Sequence, residues 1–430
     1  VKVSRININV HRLTRVEGHG NIIVNVHYGK VEEVRWEITE SPRFFEVMLR
    51  GRHWEDVHVI ASRICGICSV SHQFASLEAT EAAFGIRPSE QTVLLRKLLY
   101  AGEMIESHIL HLYLFTAPDF LGAGSVFPLL DSHKDVALRG LRLKKLGNDI
   151  MEIIGGRAVH PQAATVNGFG RLPSNQKLLL LQNELRDALP DLEATVELFK
   201  GFELPEFARE TEYIALKHPE EYAWLYGYIS STDTGPATLD QYQEVTNEYC
   251  VPHSTAKFAK HARESYAVGA LARVNNNYEQ LSPLAKKAAD ELGLKPLCCN
   301  PFMNNLAQVV ETVHVVEDGI DLIDQLLRVG IQEEDSGVPV KAGRGIGAVE
   351  APRGLLIHDY TYDENGSIVE ANLVIPTNQN HANMQHDLEA LVPRYLDRGE
   401  NGLRLLCEML VRAYDPCISC STHMLRLELR

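Results

Sequence analysis

Apolar and polar positions along the 430-residue chain change period several times. Residues 21–26 alternate, Tyr28-Gly29 supplies a turn, and residues 31–38 alternate again, which predicts a β-hairpin. Beyond Pro42, residues 44–49 predict the start of a helix, and a second helix is expected over 71–84, closed by Gly85 and Pro88. Apolar spacings of three and four then recur over 92–115, 136–154 and 176–199, the pattern of long amphipathic helices. Residues 155–173 are rich in Gly and Pro and read as a structured connection, and 201–255 are mixed. Residues 255–273, 281–292 and 304–327 are read as helices, 338–359 as a glycine-rich segment, 369–375 as a strand, and 386–394 and 403–414 as helices. No internal repeat has a fixed period. The predicted fold is α+β and predominantly helical, a central bundle of long helices with smaller α/β regions at both ends. Three regions are expected: residues 1–90 with α/β character, 91–335 helical, and 336–430 closing the chain, all forming one interwoven unit.

Composition narrows the function classes. With 57 acidic against 42 basic residues, the net charge of −15 disfavours a general nucleic-acid binder, which needs a concentrated positive surface. No apolar run reaches membrane-spanning length. The opening VKVSRININVHRLTRVEGHG has no apolar signal core, so a cytoplasmic location is expected, although a partner could carry an export signal for both chains. Eight cysteines are too sparse for a disulfide scaffold. Their placement says more than their number. Cys65 and Cys68 form one CxxC pair, and Cys417 and Cys420 form another. The remaining four are Cys250, Cys298, Cys299 and Cys407, read as structural or incidental, with a small allowance for a second metal or redox role at the adjacent Cys298-Cys299.

One CxxC is ambiguous between a dithiol and a metal site. Two supply four thiolates, the number a soft metal site needs, if the fold brings the chain's two ends together. The first pair sits just before a predicted helix, whose free N–H groups would stabilise thiolates. Arg63 and Asp415 each stand two positions before the first cysteine of a pair, and His72 and His423 follow the second. Such polar flanks suit tuning of thiolates and metal electronics. A four-cysteine zinc or single-iron site remains the generic alternative.

Further residues make the pattern specific: Arg15-Val-Glu17-Gly18-His19, Ala351-Pro352-Arg353-Gly354 and Val374-Ile-Pro376-Thr377. With the cysteine pairs, they show that the chain resembles the large, catalytic subunit of nickel–iron hydrogenases over almost its whole length. PRFFE, ESHILHLY and RAYDPCISCSTH resemble the cytoplasmic group that passes electrons to nicotinamide or deazaflavin cofactors through partner subunits. The resemblance implies reversible oxidation of hydrogen to protons and electrons, with nickel held by Cys65, Cys68, Cys417 and Cys420. Cys68 and Cys420 would bridge to an iron that carries one carbon monoxide and two cyanides.

The same resemblance implies roles around that centre. Glu17 would relay protons from Cys417, while His19 orders its loop. Arg353 would stand over the iron and the open position, fixed by Pro352 and paired with Asp415. Pro376 and Thr377 would surround the diatomic ligands, and His72 would hydrogen-bond a bridging thiolate. Glu46, the Leu373 carbonyl and His423 would bind magnesium, with iron as the alternative metal. One departure stands out: Ser107 lies where many relatives have a second aspartate for the arginine. Residues 424–430 follow His423, either an uncleaved precursor tail or a natural terminus. No cysteine pattern is left for an electron relay, so an iron–sulfur small subunit is expected as partner, with further diaphorase or cofactor-reducing subunits. The degenerate GxGxxA formed by Gly343, Gly345 and Ala348 is rejected as a nicotinamide site, because Pro352 follows too soon for a sustained helix. A non-enzymatic hydrogen sensor and a quinone-linked respiratory subunit lacking the thiolates are the alternative functions.

Overall fold

A computed structural model describes residues 5–335 and 337–422. The chain begins as an antiparallel sheet of β1 (Arg5–Val10), β2 (Gly20–His27) and β3 (Lys30–Ile38). Alternation puts Ile6, Ile8, Val10, Ile22, Val24, Val26 and Trp36 on the buried face. The predicted hairpin is β2–β3, and β1 joins it as a third strand. Helices α1 (Phe45–Leu49), α2 (Trp54–Ala61) and α3 (Ser69–Phe84) follow.

The long helices are α4 (Glu90–Ile109), α5 (Lys134–Gly155), α6 (Asn175–Lys200) and α9 (Asn304–Val329), which pack together as a bundle. Ser89 and Ser174 begin α4 and α6 by accepting the N–H groups of Thr92 and Lys177. α4 continues into a π-helical stretch, Leu110–Thr116, so the predicted helix over 92–115 changes its turn before it ends. The shorter α7 (Ala270–Asn277) and α8 (Pro283–Glu291) pack on α9.

Of residues 255–273, expected as a helix, only 270–273 are helical. Phe258–Ala259 pairs with Glu248–Tyr249, and the chain then enters a mixed sheet of β4 (Glu212–Lys217), β5 (Tyr228–Ser231), β6 (Gly235–Ala237) and β7 (Tyr266–Ala267), ordered β7–β4–β5–β6. Phe258, Ala259, Tyr266 and Ala267 are buried as strand residues. Gly269, at φ +115, then holds a backbone conformation that no helix shares, and α7 starts only after it.

The closing region is a meander of β8 (Gly343–Ala351), β9 (Gly354–Tyr362) and β10 (Ile368–Val374), then α10 (Pro376–Leu391), α11 (Gly399–Ala413) and α12 (Ile418–Ser421). α10 begins ten residues before the expected 386. Its first turns are polar yet buried, Asn378 to His381, so a search for apolar periodicity passes over them; Pro376 at its start is the usual helix opener. Helix accounts for 51% and strand for 18%, a predominantly helical α+β fold. One continuous apolar cluster reaches from Ile6 to Cys420, so both ends of the sequence share one core.

The glycine-rich segment is the strand β8, lying across α3. A Cβ on Gly343, Gly345 or Gly347 would fall 2.7, 2.1 or 2.2 Å from the carbonyl oxygens of Ala83, Ala79 and Ala75. Two residues of strand advance about 6.7 Å and four residues of helix about 6 Å. Glycines every second position therefore match alanines every fourth, and the two backbones nearly touch. A strand takes the place of the helix that a dinucleotide fingerprint requires. This contact fixes the start of α3, beside Cys68, relative to the β8–β9 turn, which carries Arg353.

Candidate metal centre

Each CxxC pair meets a helix start: the first pair ends at one and the second pair begins at one. Cys68 directly precedes α3 and Cys417 directly precedes α12. The N–H of Cys68 points at the Cys65 sulfur, 3.3 Å away. The second loop is held by the first segment of the chain: Ile418 N–H donates to the Glu17 carbonyl at 2.9 Å, and Glu17 and Cys417 form a parallel bridge. Gly18 makes this approach possible at φ +84, since a Cβ there would lie 2.7 Å from Ile418 Cβ.

The sulfurs of Cys65, Cys68, Cys417 and Cys420 all lie within 4.8 Å of one another, buried and without a disulfide. Cys65 is 3.6 Å from Cys417, and Cys417 is 2.7 Å from Cys420. Hydrogen bonds from Cys417, then Cys420 and Cys68, hold the Cys65 thiol well below its ordinary range, and the charge of Arg353 adds to them. The four thiols titrate as a group, a property that belongs to the cluster. The other cysteines stand apart: Cys250 is exposed, Cys298 and Cys299 are half-buried, and Cys407 is buried in the core.

Arg353 is buried beside this cluster. Its Nη1 donates to Ser107 Oγ at 2.9 Å, its Nη2 to Asp415 Oδ1 at 2.9 Å, and its Nε to the Asp415 carbonyl at 3.1 Å. Asp415 Oδ2 accepts from Gln308 Nε2 at 3.1 Å, and Gln308 Oε1 is in turn 2.6 Å from His111 Nδ1. The guanidinium thus has one carboxylate and one neutral hydroxyl as partners, and the departure at Ser107 leaves a connected pocket.

Glu17 is half-buried, and its Oε2 accepts the Ser419 N–H at 2.9 Å, between Cys417 and Cys420. Its neighbour His19 is exposed, and its backbone N–H donates to Glu40 Oε2 at 2.7 Å. Thr377 Oγ1 accepts the Cys417 N–H at 3.0 Å, which leaves its own hydrogen free to donate elsewhere. Pro376, beside it, opens α10. His72 Nδ1 lies 3.2 Å from His358 Nε2, and His358 Nδ1 lies 2.6 Å from the Tyr360 hydroxyl. Arg63 is exposed, unlike Asp415 in the other loop.

Glu46 is buried on α1, which packs against β10, the strand carrying Leu373. Arg43, just before α1, donates its N–H to the Thr422 carbonyl at 2.9 Å. The expected magnesium elements therefore meet, while His423 and residues 424–430 lie outside the described residues.

Several site residues carry no sequence signal. Glu103 on α4 accepts the N–H groups of Val70 and Ser71 at 2.6 and 3.0 Å, capping α3 from another helix. Burial pushes its carboxyl up to about 8. Gln308 lies within the apolar stretch of α9, where nothing marks it as a site residue. His358 sits in a strand of mixed composition, and only its pairing with His72 singles it out.

A nickel-dependent hydrogenase family model matches residues 43–139 and 221–423, and a HoxL-like model matches residues 7–41. The chain is 38% identical over 422 residues to the alpha chain of sulfhydrogenase 1 from Pyrococcus furiosus, covering 98% of each. It is 31% identical to a chain of the F420-non-reducing hydrogenase of Methanothermobacter marburgensis, covering 99% of this chain and 96% of that one. Among solved structures it is similar to an NAD+-reducing NiFe-hydrogenase in the H2-reduced state, with a TM-score of 0.87, 26% identity, and 97% and 99% of the two chains covered. The Ni-Fe-Se hydrogenase of Desulfomicrobium baculatum, at 22% identity and a TM-score of 0.79 over 97% of this chain and 100% of that one, shares the fold.

Proposed function

The chain belongs to the nickel-dependent hydrogenases and is a catalytic subunit of that family, and from this premise we propose how its residues divide the work. The observation that carries the assignment is the set of four buried sulfurs, drawn from both ends of the chain to within 4.8 Å. Soft donors packed this closely, without disulfides, fit soft metals. Cys65, Cys68, Cys417 and Cys420 would hold nickel, and Cys68 and Cys420 would serve the iron as well. Carbon monoxide and two cyanides would complete the ligands of the iron. When bound, such a centre splits hydrogen heterolytically and accepts its two electrons.

The chain's own residues handle charge and protons. Glu17 takes a proton from the Cys417 sulfur and passes it outward, a role supported by its backbone bridge to Cys417 and its half-exposed carboxylate. Arg353 presents a fixed cation to the reacting hydrogen, held by Asp415 and Ser107. Pro352 stiffens that turn. Thr377 would donate to a cyanide with the hydrogen left free by its bond from Cys417, and Pro376 would line the same side. His72, oriented by His358, donates to a bridging thiolate. Glu46, the Leu373 carbonyl and His423 would hold magnesium, with iron as the alternative.

Electrons leave through an iron–sulfur small subunit toward further cofactor-reducing subunits. Likeness to an NAD+-reducing enzyme supports NAD(P) as the final acceptor, placed ahead of a deazaflavin. No helix among the described residues is long and apolar enough to cross a membrane, and the reading places the complex in the cytoplasm.

Metal analysis and infrared spectroscopy of the purified complex test this assignment together. The expected result is nickel, iron and magnesium with carbon monoxide and cyanide bands, and loss of nickel on Cys65→Ser. Zinc alone, without those bands, would overturn it. A second equivalent of iron in place of magnesium would reassign the Glu46 site.

A further inference from the structure

Arg273, on α7, is fully buried and lies outside the metal centre. All five of its N–H groups have acceptors. Nε and Nη2 donate to Glu311 Oε1 and Oε2 at 2.6 and 2.7 Å, and Nη1 donates to Glu350 Oε2 at 3.0 Å. The remaining two reach backbone carbonyls, Nη1 to Ala351 at 2.8 Å and Nη2 to Pro352 at 3.0 Å. The Trp224 ring covers one face of the guanidinium, 5.1 Å away. Glu350 is held from its other side, where its Oε1 accepts the Leu216 N–H at 2.6 Å. Glu311 is held by the Tyr222 hydroxyl at 2.7 Å and by His108, whose Nε2 lies 2.8 Å from it.

The two carbonyls decide what this arrangement does. Ala351 and Pro352 immediately precede Arg353 at the tip of the β8–β9 turn. Their peptide planes set the direction in which the Arg353 side chain leaves the backbone. A buried ion pair by itself is weak evidence for stability, because desolvation offsets most of the Coulomb gain. A planar fork with five fixed donors does specify geometry, and a lysine cannot reproduce it.

We propose that Arg273 is a positioning residue for hydrogen turnover: by holding the Ala351 and Pro352 carbonyls it fixes where the Arg353 guanidinium stands beside the four cysteines. The proposal rests on the assignment of Arg353 to the reaction. Among the described residues Arg353 has one carboxylate partner, Asp415, so the backbone carries more of its orientation than a second carboxylate would leave to it.

The test uses the assembled holoenzyme with Arg273→Lys, Arg353→Lys and the two combined. Arg273→Lys is expected to retain nickel and iron and to lower kcat by about 10²-fold, the scale on which a misplacement near 1 Å acts. In the Arg353→Lys background the same change should cost nothing further, since the group it positions is already gone. A crystal structure of Arg273→Lys should show Arg353 moved off its 2.9 Å contacts with Ser107 and Asp415. An equal fold-loss in both backgrounds, or an unmoved Arg353, would overturn the proposal. If Arg273→Lys does not fold, Arg273→Gln with Glu311→Gln removes both charges together, and Glu350, pushed up to about 7 by burial, can take a proton. The same two readouts then apply. Unchanged turnover in Arg353→Lys alone would remove the underlying assignment, while the position of Arg353 in the structure would still report on Arg273.

Discussion

The bond between Glu17 Oε2 and the Ser419 N–H needs only an acceptor oxygen, whereas moving a proton needs a carboxylate. Glutamine keeps the first and loses the second. Glu17→Gln is therefore expected to fold, retain its metals and lose turnover by about 10²-fold or more, the usual worth of a general acid–base group. Hydrogen-dependent activity per nickel measures this, and normal turnover would remove the role. At this scale Ser107 matters too. As a neutral partner it anchors Arg353 without adding a second buried negative charge next to Asp415.

Among the elements, the crossing of β8 and α3 controls the site most directly. It joins the helix that starts after Cys68 to the strand that ends before Arg353. Gly347→Ala would drive a methyl to 2.2 Å from the Ala75 carbonyl and 2.5 Å from the Ala79 nitrogen, backbone atoms that cannot rotate away. A loss of about 1–3 kcal/mol in unfolding free energy is expected, as for other overpacked cores. Activity per folded molecule should fall with it, because the strand must move away from the helix. Urea unfolding together with turnover per nickel checks both, and an unchanged unfolding midpoint would show that the crossing yields more easily than its distances imply. α7 acts at the same scale, since Arg273 reaches from it to the β8–β9 turn.

Across the whole molecule, buried titratable groups give stability two opposing dependences on pH. Burial lowers His58 and His314 to about 4, below the 6.5 of an unfolded chain. Below pH 6.5 the unfolded chain binds protons that the native one refuses. Stability due to these histidines is complete above 6.5 and declines as pH falls toward 4, by up to one proton each. Glu103, raised to about 8, behaves oppositely. The native protein keeps a proton that the unfolded chain releases above about 4.5, so this contribution declines as pH rises from 4.5 to 8. Denaturation midpoints measured from pH 4 to 9 should fall at both ends, and Glu103→Gln should flatten the decline between 6.5 and 8. A midpoint that kept rising up to pH 8 would contradict the burial of Glu103 as an acid.

Local chemistry decided a good part of this protein. Period-two and period-3.6 patterns located the hairpin, the long helices and the last strand, because each of those elements turns one apolar face to the core. The two CxxC pairs, Glu17, Arg353 and Asp415 were singled out because their neighbours in the chain are distinctive, and the fold brings them together. What the pattern could not reveal was any element whose buried face is polar or whose conformation depends on a neighbour. The start of α10 is buried on asparagine, glutamine and histidine. Phe258, Ala259, Tyr266 and Ala267 carry apolar side chains that serve strands, and Gly269 separates them from α7. The glycines of β8 are explained by alanines more than 250 positions away on α3. The same holds for Arg273, Gln308, Glu103 and His358, which matter through atoms brought near them only by the fold. Local sequence specifies donors and faces; distances between donors 349 or more positions apart, such as Cys68 and Cys417, exist only once one core has closed around both ends.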